Sequence, residues 1–288
     1  MKTLRLKEAA RKMLKGAPRS VARSLWHGYE RFNPARLRRQ WRHARLNRGA
    51  AADEIVLREG LRLRIDPRSR EAFEWFCFRS LEMARELDAF LEDTRGCRRL
   101  VDVGSLYGVF ALSFAHGRPG VRVLAVDPSA AAQDVLQANL RLSGATGITP
   151  LALALGDQAG ALRMRPIWHH LEAVPETAHT AGDVIVPVRT LDALCSDQGF
   201  VPDAIKIDVE GFESAVLKGA EGVLRRARPL LFLEVHPVRL RELGSSVGKA
   251  LGFLERRGYR FASSEGEPLS VADLADVEAV FRIRCRPS

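Results

Sequence analysis

The sequence predicts an α/β fold: a mostly parallel, seven-stranded sheet flanked by helices, preceded by an N-terminal helical extension. Two observations predict it. From Arg98 onward, short apolar runs alternate with segments of helical periodicity, the pattern of a parallel sheet covered on both faces. Ahead of that, residues 1–50 carry a net charge of +13, whereas the rest of the 288-residue chain sums to −3, so the basic character belongs to an appendage. The expected division is a basic helical extension over 1–50, a lead-in hairpin and helix over 51–97, and the main domain over 98–288.

In the extension, Leu6, Ala10, Met13, Leu14, Ala17, Val21 and Leu25 recur at helical spacing, interrupted at Pro18. A second basic helix follows Asn33 and Pro34, a good cap and a good first helical residue, with Leu37, Trp41 and Ala44 on one side. Residues 54–59 and 61–66 alternate apolar with charged positions around Gly60, as a half-exposed hairpin does. Residues 71–94 keep helical periodicity through Phe73, Phe76, Leu81, Ala84, Leu87 and Leu91 with no internal Gly or Pro. Strands are expected at 100–103, 122–126, 149–154, 204–208, 230–235, 259–262 and 279–285. Helices are expected at 107–116, 130–142, 213–226 and 238–257.

Cys77, Cys97, Cys195 and Cys285 are too scattered for a zinc or redox motif and are expected as free thiols. No apolar run approaches the roughly 18 residues that span a bilayer, and the N-terminus lacks the apolar core of a secretory signal. The expected location is cytoplasmic, with peripheral contact at the inner face of the membrane as an option for the basic arm.

Val101 to Gly108 reads VDVGSLYG, placing a DxGxxxG spacing where a strand turns into a helix. Glycines there let backbone approach a nucleotide-like ligand, and the helix start offers unpaired N–H donors. Neither GxGxxG nor GxxxxGK[ST] is present, which argues against NAD and ATP. Asp127, nineteen residues past Gly108, ends the second strand, where a carboxylate accepts ribose hydroxyls. A cofactor with a ribose and no phosphate, such as S-adenosylmethionine, suits that pairing. Asp102, Gly104, Ser105, Gly108 and Asp127 are the candidate cofactor residues. Asp157, in a Gly-Asp turn after the third strand, is added for the adenine, with a plain turn residue as its alternative.

Further on, the chain reads IKIDVEGFE over 205–213, LKGA over 217–220 and LEVH over 233–236, preceded by VPVRTLD over 186–192. With Asn139 in the second helix, these blocks resemble, in order and spacing, the FkbM family of methyltransferases; the similarity covers about residues 98–240. The resemblance implies a Rossmann-like class I methyltransferase fold, S-adenosyl-L-methionine as cofactor, and O-methylation of a hydroxyl on a sugar, a glycan or another secondary metabolite. It departs at Ser105 and Leu106, where the family carries Ala and Asn.

Methyl transfer needs an aligned nucleophile and a group that removes its proton. Asp208 falls at the carboxyl end of the fourth strand, beside the switch point of the sheet, and is a candidate catalytic residue. His236 follows the fifth strand and, with an ordinary pKa of roughly 6.5, is a candidate base. Glu234 shares its strand face. Glu210, Lys206 and Glu213 are candidate acceptor contacts. Their structural alternatives are a backbone cap for His236 and a first-turn carboxylate for Glu213; Lys206, inside an apolar strand, suggests an ion pair with a site carboxylate, with snorkelling at an edge as its alternative. Asp208, Glu210, Glu234 and His236 have metal-ligand chemistry, but alternate strand residues point to opposite faces, so no metal is assigned. Trp168, His169 and His170 are candidates for the acceptor pocket or for a solvated loop.

The basic arm, with Trp26, Tyr29, Phe32 and Trp41 interleaved, suits an anionic membrane surface or docking on the core. Nucleic acid is disfavoured, because the catalytic half is slightly acidic and lacks a [DN]PP[YF] sequence. Two alternatives remain open at this point: a catalytically inactive scaffold that keeps the fold, and a nucleic-acid methyltransferase recruited by the arm. Acceptor identity and oligomeric state are not written in the sequence, since specificity resides in loops on a shared fold.

Overall fold

The structure is a computed structural model that describes residues 34–167 and 170–288; the helix expected over Leu6 to Leu25 lies outside them, as do Trp168 and His169. Helix α1 (Pro34–Leu46) starts on its proline. It docks through its polar side: Arg39 donates to the Cys77 and Ala84 carbonyls and to Asp88 at 2.6 Å, and Asn47 pairs with both backbone groups of Val56. Leu37 and Trp41 face outward, at 42% and 77% exposure.

Strands β1 (Glu54–Arg58) and β2 (Leu61–Arg64) form the expected antiparallel hairpin. The single helix expected over 71–94 is instead broken into α2 (Arg70–Glu74), a π turn over Trp75–Arg79, and α3 (Leu81–Asp93). Ser80 makes the break: it is extended, and its hydroxyl accepts from the Met83 N–H as the cap of α3. Periodicity could not reveal this, because a polar cap inside an amphipathic run keeps the apolar spacing intact.

The central sheet is then laid down by β3 (Arg99–Val103), α4 (Val109–Ala115), β4 (Arg122–Val126), α5 (Ala130–Ser143) and β5 (Ile148–Leu151). A second, four-stranded sheet intervenes: β6 (Ala154–Leu155), β7 (Gly160–Ile167), β8 (His170–Ala173) and β9 (Val184–Arg189), in the order β6-β9-β7-β8. The main sheet resumes with α6 (Leu191–Asp197), β10 (Ala204–Ile207), α7 (Glu213–Lys218), α8 (Glu221–Arg226), β11 (Leu230–Val235), α9 (Pro237–Glu242), α10 (Val247–Glu255), β12 (Tyr259–Ala262), β13 (Pro268–Leu269), α11 (Val271–Leu274) and β14 (Phe281–Pro287).

Its order is β13-β12-β14-β11-β10-β3-β4-β5, with β11, β10, β3, β4 and β5 parallel and the other three antiparallel. The α/β, Rossmann-like expectation holds, with two corrections. The sheet has eight strands, because the short β13 adds to one edge. The third strand stops at Leu151, and Ala154–Leu155 leaves to start the second sheet.

Two helices expected as continuous are also split. The segment 213–226 breaks at Gly219, where a β-carbon would sit 1.9 Å from the Gly156 carbonyl oxygen. The segment 238–257 breaks before Ser246, whose hydroxyl caps α10 at Lys249 N.

Strand alternation sorts side chains onto two faces. Val101, Val103, Leu124, Val126, Ile205, Ile207, Leu231, Leu233, Ile283 and Cys285 join the core under α6–α11. Leu100, Val123, Ala125, Ala204 and Phe232 join the core under α3, α4, α5 and the hairpin. The second face also receives Asp102, Lys206, Glu234 and Arg282, a polar row beneath α3. Asn139, fully buried, ties the lead-in segment to the main domain: its carbonyl accepts from Asp66 N and Ser69 Oγ, and its amide donates to Tyr107 O. All four cysteines are free. Among the described residues no helix is long and apolar enough to cross a membrane.

Candidate active site

The order of the sheet reverses between β3 and β10, and ligands bind outside the carboxyl ends of strands at such a point. Gly104 follows β3 and Asp208 follows β10. Gly104 N donates to the Val126 carbonyl and Asp208 N to the Val103 carbonyl, so three strand ends are stitched together. A cavity of about 220 Å³ opens there, lined by Gly104, Leu106, Asp127, Asp208, Glu210 and Glu234 among others. Val126, Pro128, Leu153, Ala154 and Leu155 give one side of it an apolar wall, and Phe76, Met83, Leu162, Met164, His170 and Leu171 close the rest. A larger cavity of about 710 Å³, between α7 and α10, holds no other candidate than Asp157; the smaller one is where the chemistry-bearing residues converge.

At the cofactor end, Asp127 is 5% exposed. One carboxylate oxygen accepts from Leu106 N and the other from Ser129 N, each at 2.9 Å, so it fixes the glycine loop while lining the cavity. Burial pushes its carboxyl above the usual range, against those two hydrogen bonds. Leu106 has φ +44, a left-handed conformation that costs an L-residue roughly 1–2 kcal/mol and that Asn tolerates better. Leu therefore stands strained where the family places Asn.

Four sequence candidates stand elsewhere. Asp102, 2% exposed, accepts from Ala111 N at 3.1 Å and holds α4 against the sheet rather than lining the cavity; burial raises its carboxyl to about 7. Ser105 and Gly108 shape the turn, Gly108 donating to the Ser105 carbonyl at 2.7 Å. Asp157 is exposed and belongs to the larger cavity, because the chain turns outward after β6.

At the acceptor end, His236 is 5% exposed and its ring makes no backbone cap. Its Nδ1 donates to Glu213 at 2.8 Å. Its Nε2 lies 3.2 Å from Glu210, 3.8 Å from Glu234 and 4.0 Å from Asp208. Burial favours a neutral ring, but the Glu213 hydrogen bond and the Asp208 and Glu210 charges outweigh it and raise His236 to about 9. Raised in this way, the ring keeps its proton at neutral pH in the absence of a ligand.

Glu213 and Lys206 lie behind the cavity wall and hold other groups, Lys206 in the ion pair expected of it. Glu213, 1% exposed, also accepts from Gly211 N, so it orients His236 instead of meeting an acceptor. Lys206, 1% exposed on a central strand, has no route for snorkelling; it pairs with Glu86 at 3.2 Å and Asp208 at 3.6 Å. Burial penalises Asp208 too, but Lys206 and His236 outweigh it and hold that carboxyl below the usual range. Burial and the facing Asp208 push Glu234 well above it, and burial raises Glu210. Glu210 adopts φ +50, which turns it out at the lip of the site with a third of its side chain exposed.

Glu86 and Arg282 were missed. Arg282 is paired with Glu234 and lies 3.0 Å from Glu86. The available signals were an acid on the apolar side of the 71–94 periodicity and arginines alternating with Ile283 and Cys285.

The motif blocks have structural work of their own. Thr190 caps α6, and the Asp192 carboxylate accepts from Gly222 N and Val223 N at 2.7 and 2.6 Å, capping α8.

An open α/β sheet with an apolar slot, a buried carboxylate and a polar cluster at one switch point agrees with a methyltransferase domain. Residues 102–261 match the Methyltransferase FkbM domain, and the chain belongs to that family. It is 32% identical over 155 residues to the methyltransferase sdnD of Sordaria araneosa, across 42% of this chain; the match spans 60% of that relative's length. Among solved structures it is similar to a methyltransferase FkbM from Methylobacillus flagellatus KT, at 20% identity and TM-score 0.43, over 65% of this chain and 43% of that one. It is also similar to a precorrin-6y C5,15-methyltransferase from Geobacter metallireducens GS-15, at 15% identity and TM-score 0.41, over 70% and 87%.

Proposed function

We propose that this protein transfers a methyl group from S-adenosylmethionine to a hydroxyl of a sugar, a glycan or another secondary metabolite. One observation carries the proposal: Gly104, Asp127, Asp208, Glu210 and Glu234 line a single cavity. The residues present fit the adenosyl group, since the Asp127 carboxylate retains lone pairs for ribose hydroxyls beside the Val126 to Leu155 apolar wall. When bound, the cofactor supplies an electrophilic methyl on a sulfonium.

The chain's own residues do the rest. Asp208, Glu234 and His236 grip the acceptor oxygen, and their buried partners Lys206, Arg282 and Glu213 keep that grip from relaxing. With the cofactor bound, its sulfonium would give up the methyl to the acceptor oxygen, and Glu210 would take the hydroxyl proton. The raised carboxyl of Glu210, at the lip of the site, suits a proton acceptor that must afterwards release to solvent.

The test is calorimetry with S-adenosylhomocysteine, followed by incubation with radiolabelled cofactor and fractionated glycans, lipids and small metabolites. Saturable binding and one labelled fraction whose label resists amide- and ester-cleaving conditions are expected. Absence of binding heat overturns the cofactor assignment, and label found on nitrogen or nucleic acid overturns the hydroxyl.

A further inference from the structure

The acceptor end contains more negative charge than its neighbours balance. Asp208, Glu210, Glu213 and Glu234 surround His236, Glu86 adds a fifth carboxylate behind them, and the permanent cations among these groups are Lys206 and Arg282. Burying excess charge is costly unless an ion or protons compensate it. Two of these carboxylates are spoken for: Glu86 by Lys206 and Arg282, and Glu213 by His236 and Gly211 N.

Three of the others are arranged in a repeated way. Asp208 has Oδ2 facing Lys206 at 3.6 Å, leaving Oδ1 toward His236. Glu234 has Oε1 held by Arg282, leaving Oε2, an oxygen that is buried with no hydrogen-bond donor. His236 has Nδ1 held by Glu213, and its Nε2, 3.2 Å from Glu210, becomes a ligand on losing its proton. Each side chain is thus held through one atom by a buried partner, and two of the three, Asp208 and Glu234, line the cavity. That is how outer groups orient metal ligands, the Glu213–His236 pair being the carboxylate–histidine form of it. Glu234 is 5% exposed and lines the cavity, and its Oε2 is buried without a donor.

We propose that Asp208 Oδ1, Glu234 Oε2 and His236 Nε2 bind a divalent cation of the Mg²⁺ or Mn²⁺ type. Donor atoms of these three side chains lie within 4.8 Å of one another. Ligands about 2.1 Å from an octahedral ion stand about 3.0 Å apart when adjacent and about 4.2 Å when opposite, so His236 Nε2 at 4.0 Å from Asp208 Oδ1 sits within that bracket. Two carboxylates and one imidazole match oxygen-preferring divalent ions better than the thiolate-seeking ones. Three protein ligands leave positions open for the acceptor. The inference rests on the methyl-transfer reading and deepens it: the cation takes over the grip on the acceptor hydroxyl, acidifies it as a Lewis acid, and leaves Glu210 beside it to receive the proton.

The experiment is an EPR titration of Mn²⁺ into the full chain, with S-adenosylhomocysteine calorimetry on the same preparations. One equivalent of Mn²⁺ should lose its free-ion signal with the wild-type chain. Glu234→Gln should abolish that binding. Glu213→Gln, which removes only the orienting partner, should weaken it about 10- to 100-fold. Retained binding of S-adenosylhomocysteine shows that each variant is folded. If the wild-type chain leaves the free-ion signal intact, or if both variants bind Mn²⁺ as well as wild type, the cation site is overturned. Mn²⁺ binding without S-adenosylhomocysteine binding would instead sink the cofactor assignment and keep the cation site.

Discussion

Gly104 and Asp208 are packed backbone to backbone: a β-carbon built on Gly104 would sit 1.7 Å from the Asp208 carbonyl oxygen. The approach brings the end of β3, with the cofactor loop, against the end of β10, with the acceptor carboxylates. Gly104 also has φ +79. Gly104→Ala therefore meets both a backbone clash and left-handed strain, and should lower stability by more than about 2 kcal/mol. Chemical denaturation reads this directly; an unchanged midpoint would mean that the two strand ends are not in contact.

At Leu106 the strain runs the other way. Its N–H donates to Asp127 from a left-handed residue, so Leu106→Asn keeps the hydrogen bond and lowers the backbone cost. A gain of about 0.5–1 kcal/mol is expected in urea unfolding.

Asp102 should give the stability curve a pH dependence. Its carboxyl is raised to about 7 by burial, against the pull of Lys206 and the Ala111 N–H and together with the nearby Asp208 and Asp127 charges. A group raised in the folded state contributes stability that is full below its unfolded value, near 3.8, and lost as pH rises through about 7. The stability of wild type relative to Asp102→Asn should therefore fall between about pH 4 and 7 and flatten above. A difference independent of pH would show that Asp102 is ionised throughout.

Asp127→Ala removes the ribose-type carboxylate and two backbone hydrogen bonds of the loop. S-adenosylhomocysteine binding should weaken about 10- to 100-fold, the equivalent of roughly 1.5–3 kcal/mol for hydrogen bonds to a charged group. Equal affinity by calorimetry would remove Asp127 from the cofactor site.

Helix α1 turns Trp41 and Leu37 outward among arginines, on the side away from Arg39 and Asn47. If residues 1–50 contact an anionic membrane surface, Trp41→Ser should reduce co-sedimentation with phosphatidylserine vesicles several-fold and leave unfolding unchanged. Equal binding would place the contact elsewhere.

The parallel strands were legible because runs such as Leu230 to Val235 are buried on both faces and read as unbroken apolar stretches. Asp127, Asp208, Glu234 and His236 were legible because strand ends and motif spacing mark them. The second sheet was not: Gly160–Ile167 mixes arginines with apolar residues, and its burial follows no strict alternation. Nor was the role of Glu213, whose partner His236 is distant in sequence; and although an ion pair with a site carboxylate was legible at Lys206, its second partner Glu86 shows only in the packing under α3.

Leu162, Met164, His170 and Leu171 reach the cavity from the four-stranded sheet, whereas the charged residues stand on the central one. Under the proposed function, recognition and reaction fall to different pieces of chain. Exchange of the 154–189 insert between family members would then be a route to new acceptors that leaves the proton-handling apparatus untouched.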